Sequence, residues 1–151
     1  MKSRVVLFAC CALFAFAGCQ VNPLTVEPQI SSLTLEPDSI RITLGTEDTA
    51  FFKFNFTDGD ADPSEIFLRD TLGTDTSWQK YAFPELPSEV ADPELGLRGR
   101  AILPIPATFP LLQRDTSIAR DTAQFQIYIR DRKGNVSNKL TTNNRLILIN
   151  R

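Results

Sequence analysis

Three carboxylates at alternate positions are the part of this sequence best suited to chemistry. Asp58, Asp60 and Asp62 stand in the stretch Asp-Gly-Asp-Ala-Asp-Pro, directly after a segment of alternating apolar residues. Ca²⁺ takes about six to eight oxygen ligands, so carboxylates spaced in this way can converge on one ion. Asp and Gly next to Pro are also ordinary turn residues. The stretch therefore predicts either a calcium site or a tight turn without an ion.

A second polar stretch, residues 130–135, follows a later alternating segment and contains Asp131. If both segments are strands of one immunoglobulin-like sandwich, the loops that follow them lie at the same pole. Asp131 would then face the first three carboxylates and join them as a calcium ligand. Arg132 and Lys133 are alternative salt-bridge partners for the same carboxylates.

Aromatic residues are concentrated in one short segment. Trp78, Tyr81 and Phe83 lie close together in the chain and could form a platform for sugar rings. A single Trp on a central strand is also a common core residue of sandwich domains. The segment therefore has two interpretations, a carbohydrate-binding site or a part of the hydrophobic core.

The chain contains no histidine. This absence removes the commonest general base and the commonest zinc ligand, and with them His-based nucleophilic and metal catalysis. A pair of carboxylates could still support glycoside hydrolysis, but nothing in the sequence singles out such a pair. We expect a protein that is not an enzyme, with no catalytic residue and no cofactor apart from a possible calcium ion.

The N-terminus has the organisation of an export signal. Lys2 and Arg4 precede the apolar run 5–17, which is shorter than the roughly 20 residues that a membrane span requires. The residues that end at Cys19 resemble the lipobox of bacterial lipoproteins. This resemblance implies that residues 1–18 are a signal peptide and that Cys19 is lipidated and becomes the first residue of the mature protein.

Charge and the residues after Cys19 bear on location and partners. Removal of residues 1–18 takes away Lys2 and Arg4 and leaves 18 acidic against 14 basic residues, an acidic balance that argues against nucleic acid as a partner. Gln20 stands where Asp retains some lipoproteins in the inner membrane, so we expect the outer membrane. No acidic cluster follows Cys19, which favours the periplasmic face over the cell surface.

The pattern of apolar residues predicts an all-β domain. Residues 19–31, with Pro23 and Pro28, suit an extended tether, and from residue 32 onward apolar residues alternate with polar ones in short runs. We predict a single domain over 32–151, an antiparallel β-sandwich of seven to eight strands with immunoglobulin or fibronectin type III topology. The segments 84–96 and 104–122 interrupt this pattern and are predicted as long loops, which are often functional.

Two motifs resemble those of a bacterial group. The strand end Phe-Thr-Asp-Gly-Asp-Ala-Asp (56–62) and the segment 128–138 are similar to uncharacterised immunoglobulin-like lipoproteins of Bacteroidota. Ala61, Pro63 and Ser64 depart from the usual Asp-Gly-Asp-Gly-Asp-Ile-Gly motif of that group. The resemblance implies the fold and an address in the cell envelope, and it implies no activity.

Four Asp-Ser or Asp-Thr pairs followed by a small or aliphatic residue resemble the O-glycosylation acceptor of exported Bacteroidota proteins. Their hydroxyl residues are Ser39, Thr49, Thr71 and Thr122. The same pairs also suit turns and the starts of strands. Taken together, the sequence favours a lipid-anchored, non-catalytic binding or structural module of the envelope. The alternative is a carbohydrate-binding lipoprotein that assists glycan capture.

Overall fold

A computed structural model describes residues 24–42, 48–86, 95–113, 115 and 117–150. The predictions of a signal peptide and of a lipidated Cys19 lie outside these residues. Within the described part there are ten strands: β1 (Gln29–Glu36), β2 (Ser39–Arg41), β3 (Thr49–Asp58), β4 (Pro63–Asp70), β5 (Gln79–Ala82), β6 (Leu97–Pro106), β7 (Arg120–Ala123), β8 (Phe125–Asp131), β9 (Leu140–Thr141) and β10 (Leu146–Ile149). The one helix among these residues is the short 3₁₀ turn Pro110–Leu112, and no helix there could cross a membrane.

The strands form two main antiparallel sheets, with the orders β1-β3-β6 and β5-β4-β8-β9. A third, smaller sheet of order β2-β10-β7 extends the domain, and its β2–β10 pair is parallel. The two main sheets bury alternate residues of β3 and of β8, as expected of strands with one face on a shared core. The predicted all-β sandwich of immunoglobulin-like topology is confirmed, but the described residues form ten strands where seven to eight were predicted.

Aromatic residues join the two main sheets across the core. Phe52 of β3 and Phe125 of β8 are both fully buried, and their ring centroids lie 5.0 Å apart in an edge-to-face arrangement. Phe56 makes a similar contact with Phe83, which follows β5. Edge-to-face contact is the favoured geometry for aromatic pairs, so these residues fix how the sheets face each other.

The predicted loop 104–122 is wrong at both ends. β6 continues through Pro104 and Pro106, which pair with Phe51 and Thr49 of β3. Proline cannot donate a ladder hydrogen bond, and it is tolerated here because β6 is the edge strand of its sheet. The C-terminal end of the segment forms β7, which pairs with β10. The loop is therefore confined to residues 107–119.

The predicted tether 19–31 is too long. β1 begins at Gln29 and buries Ile30, three and two residues before the predicted start of the domain. Upstream of the strand, the carbonyl of Thr25 accepts a hydrogen bond of 2.9 Å from the N–H of Gly59. Side-chain alternation cannot reveal this contact, because it joins main-chain atoms that are distant in sequence.

Candidate functional site

The acidic turn, residues 58–62, connects β3 to β4 at one pole of the sandwich. Asp58 is the last residue of β3, and Asp62 directly precedes β4. Ala61 has a φ of 57°, in the left-handed region, so the chain reverses within a few residues. The close approach of the Thr25 carbonyl requires glycine at position 59, since a Cβ there would lie 2.4 Å from that oxygen.

The turn brings the three predicted carboxylates together. One oxygen of each of Asp58, Asp60 and Asp62 lies within 4.8 Å of the others. Asp58 is fully buried, with 0% of its surface exposed. Among the described residues no donor reaches Oδ2 of Asp58 or Oδ1 of the other two, although all three oxygens are buried. Buried polar atoms nearly always have a partner, so three orphaned oxygens in one place are unusual.

Lys133 supplies part of the missing positive charge. Its Nζ lies 2.5 Å from Oδ2 of Asp60, and this hydrogen bond lowers the pKa of Asp60 to about 2. Burial raises the pKa of Asp58 to about 7, and the neighbouring carboxylate of Asp60 adds to the effect. Burial and the charge of Asp60 also raise the pKa of Asp62. The turn thus holds more negative charge than Lys133 can balance.

Asp131 lies next to the acidic turn, as the topology predicts. It pairs with Pro63 across β4 and β8, and its negative charge contributes to the raised pKa of Asp62. However, its two carboxylate oxygens accept hydrogen bonds of 2.7 Å from the backbone N–H and the side-chain Nδ2 of Asn135. Asp131 therefore braces the 131–135 turn, and its oxygens are outside the group formed by the other three.

The predicted aromatic platform of Trp78, Tyr81 and Phe83 does not form. Phe83 is buried in the core against Phe56, and Tyr81 is opposite the fully buried Ile66 on the inner side of β4. Burial raises the pKa of Tyr81 to about 12. Trp78 is on the other side of the sheet, because an offset of three residues along a strand reverses the facing. The odd offset between Trp78 and Tyr81 was already visible in the sequence.

Trp78 instead belongs to an aromatic face on the outer side of the β5-β4-β8-β9 sheet. Its ring meets the edge of Tyr128 at 4.7 Å, and Tyr128 stacks on Phe67 at 4.6 Å. Arg69 and Lys139 lie over the Trp78 ring, 4.6 and 5.5 Å from its centroid. Phe67 and Tyr128 were missed, although each is out of phase with the buried residues of its own strand, which marks it as outward-facing.

A cleft lies at the pole opposite the acidic turn. It has a volume of about 380 Å³ and is bounded by the β4–β5 connection and the 107–119 loop. Its lining includes the carboxylates of Asp75, Asp115 and Asp121 and the apolar side chains of Leu72, Leu111 and Ile118. A hydrogen bond from the backbone N–H of Ser77 lowers the pKa of Asp75, and Ser117 does the same for Asp115. Both carboxylates are therefore ionised at neutral pH.

The four predicted glycosylation residues differ in accessibility. Ser39 and Thr122 are exposed, and both pair with Ile147, so they flank it on neighbouring strands. Thr49 and Thr71 are half-buried, and the hydroxyl of Thr71 donates a hydrogen bond to the carbonyl of Gln124. Accessibility thus separates two candidates from the other two.

No family model and no curated protein matches this chain. Solved structures of similar shape include a Niemann-Pick type C2 protein from the Japanese carpenter ant, with 12% identity, a TM-score of 0.41, and coverage of 81% of this chain and 92% of that one. A β-glucosidase from Listeria innocua is 10% identical with a TM-score of 0.36, over 80% of this chain and 16% of that one.

Proposed function

We propose that this chain is an exported, lipid-anchored, non-catalytic module that binds a protein partner in the cell envelope. The observation that carries the binding role is the cleft between the β4–β5 connection and the 107–119 loop. Its volume, about 380 Å³, falls in the range of roughly 300–1,000 Å³ typical of ligand sites. Loops presented by a rigid sandwich are a common way to build such a site.

The position of the proposed anchor indicates which pole of the domain would face the membrane. Thr25 follows Cys19 by six positions in the sequence, and a chain of that length spans at most about 20 Å. Thr25 is bonded to Gly59 of the acidic turn, so lipid on Cys19 would hold that pole near the membrane. The ten residues of β6 rise about 30 Å towards the other pole. The cleft would therefore face away from the membrane, where a partner can reach it.

The chemistry of the cleft indicates the kind of partner. Its described lining contains three carboxylates and no Lys or Arg side chain. Leu72 and Ile118 add apolar surface, with 46% and 45% of each residue exposed. A protein segment that presents Lys or Arg beside apolar side chains would complement this lining.

We place the module at the outer membrane, on its periplasmic side.

Site-specific photo-crosslinking in cells, with the lipid anchor intact, tests this proposal. A photoreactive residue at Ile118 should yield an adduct with one envelope protein. The same residue at Val136, which is 52% exposed and near the acidic turn, is the matched control and should yield none. Absence of an adduct at Ile118, or equal adducts at both positions, would contradict the assignment of the cleft.

A carbohydrate-binding role is the second candidate, and the aromatic face favours it. Trp78 is partly exposed beside Tyr128, and the cations of Arg69 and Lys139 lie over its ring. An acidic oligosaccharide could stack on the aromatic rings while its charge meets these cations.

Because Trp78 is the one Trp of the chain, its fluorescence reports on this face alone. Titration with an acidic oligosaccharide should shift the emission, and a neutral one of equal length should have a weaker effect. Blue-shifted emission that resists an aqueous quencher and does not respond to glycan would exclude this role.

A further inference from the structure

The three orphaned oxygens of the acidic turn mark a place where a positive group is missing. Asp58 is entirely buried, and its Oδ2 has no hydrogen-bond donor among the described residues. The Oδ1 atoms of Asp60 and Asp62 are in the same condition. Burial of ionised carboxylates is costly unless they are paired or coordinate a metal. Their separation of at most 4.8 Å is short enough for one cation to contact all three.

We propose that Asp58, Asp60 and Asp62 form a Ca²⁺ site. The donors are all carboxylate oxygens, and hard cations such as Ca²⁺ and Mg²⁺ prefer such ligands. Ca²⁺ tolerates irregular geometry and a large number of ligands, whereas Mg²⁺ demands a near-ideal octahedron. The three ligand residues occupy alternate positions of one short turn. This arrangement fits Ca²⁺, the more tolerant of the two ions.

The neighbouring side chains do not fill this role. Lys133 contacts Oδ2 of Asp60, which is the other oxygen of that carboxylate, and leaves Oδ1 without a partner. The oxygens of Asp131 are taken up by Asn135. Asp131 is therefore a positioning residue: it braces the adjacent turn and adds negative charge near Asp62. Lys133 competes with the cation for Asp60.

The backbone of the turn is fixed without the ion, which reduces the entropy that binding would cost. The N–H of Gly59 bonds to the carbonyl of Thr25, and the N–H of Arg132 bonds to the carbonyl of Asp62 at 3.1 Å. The N–H of Asp60 is 3.4 Å from Oδ1 of Asp58. These contacts hold the three carboxylates in place from both sides.

Calorimetric titration of the purified full-length chain with CaCl₂ tests the proposal directly. We expect one ion per chain and weaker binding of MgCl₂. Thermal unfolding in calcium and in chelator provides the second measurement. At a hundredfold excess of calcium over its dissociation constant, the folding equilibrium constant should rise about 100-fold.

Two variants separate a metal site from a structural turn. Asp58→Asn preserves shape but removes one buried charge, so it should abolish calcium binding and raise the melting temperature in chelator. Lys133→Gln removes the competing cation and should tighten calcium binding roughly two- to fivefold, the factor that matches a surface ion pair. Asp115→Asn, at the opposite pole, is the matched control and should leave calcium binding unchanged.

The proposal is overturned if millimolar calcium produces no binding heat and no change in melting temperature. It is also overturned if Asp115→Asn weakens calcium binding as much as Asp58→Asn does. If the Lys133→Gln substitution weakens calcium binding, Lys133 supports the turn and does not compete with an ion. Each result is independent of whether the cleft binds a partner.

Discussion

Replacement of Phe52 by Ala is the most direct test of how the two main sheets face each other. Phe52 and its neighbour Phe51 are adjacent in β3, but their side chains point to opposite sides of the sheet. Phe52 is fully buried and contacts Phe125 of the facing sheet, whereas 39% of Phe51 is exposed. The two residues are thus the same side chain in two environments.

The magnitudes follow from this difference. Removal of a buried phenyl ring costs about 3–5 kcal/mol, because apolar contacts are lost and a cavity remains. Phe51→Ala removes a ring that is only partly covered and leaves no closed cavity, so about 1 kcal/mol is expected. The edge-to-face contact of Phe52 with Phe125 should contribute roughly 0.5–1.5 kcal/mol of coupling energy.

Urea unfolding followed by circular dichroism measures these free energies. Phe52→Ala and Phe51→Ala should differ by about 2 kcal/mol or more. The coupling is measured in a double-mutant cycle with Phe52→Leu and Phe125→Leu, since Leu keeps most of the core volume. The same denaturant slope is expected for all variants, because the surface exposed on unfolding changes little.

Equal losses of stability for Phe51→Ala and Phe52→Ala would refute the assigned facing of β3. A larger loss for Phe51→Ala would mean that the strand register is shifted by one residue, which exchanges the inner and outer faces. A coupling energy of zero between positions 52 and 125 would show that the two sheets do not meet at this pair.

Four further predictions concern other parts of the molecule. Gly59→Ala should destabilise the domain by about 1–3 kcal/mol, because its Cβ would lie 2.4 Å from the Thr25 carbonyl oxygen; unchanged urea stability would contradict this contact. Since burial raises the pKa of Tyr81 to about 12 from 10.0, its contribution to stability is present below pH 10 and is lost as pH rises towards 12; ultraviolet titration of Tyr81→Phe should lack the latest ionisation step. If the chain is glycosylated, glycopeptide mass spectrometry should find sugar on the exposed Ser39 or Thr122 and none on Thr71. Cys19→Ala should leave an unprocessed precursor without lipid, and a fatty-acid label retained by this variant would rule out Cys19 as the anchor.

Most of the fold was predictable because strand alternation is a local property. The alternating segments predicted eight of the strands, including β3 and β8, and their inward-facing residues are the core residues of the structure. β7 and β9 were missed because they are short and have few apolar residues. Each is a strand only because β10 or β8 lies beside it and supplies the ladder hydrogen bonds.

The candidate sites were predicted less completely, for two different reasons. The aromatic platform failed because the offset between Trp78 and Tyr81 is odd, a signal that was present in the sequence. The cleft was not predictable, because its walls come from the β4–β5 connection and the 107–119 loop, which are far apart in the chain.

The acidic turn shows which features follow from the local sequence and which depend on the tertiary structure. Spacing by itself determined that Asp58, Asp60 and Asp62 belong to one turn at the end of a strand, since alternation and turn chemistry act over a few residues. Only the fold decided that Lys133 reaches Asp60 and that Asp58 is sealed from water. Partners and burial depend on segments separated by about 70 residues, and a local pattern carries no record of which of them will meet.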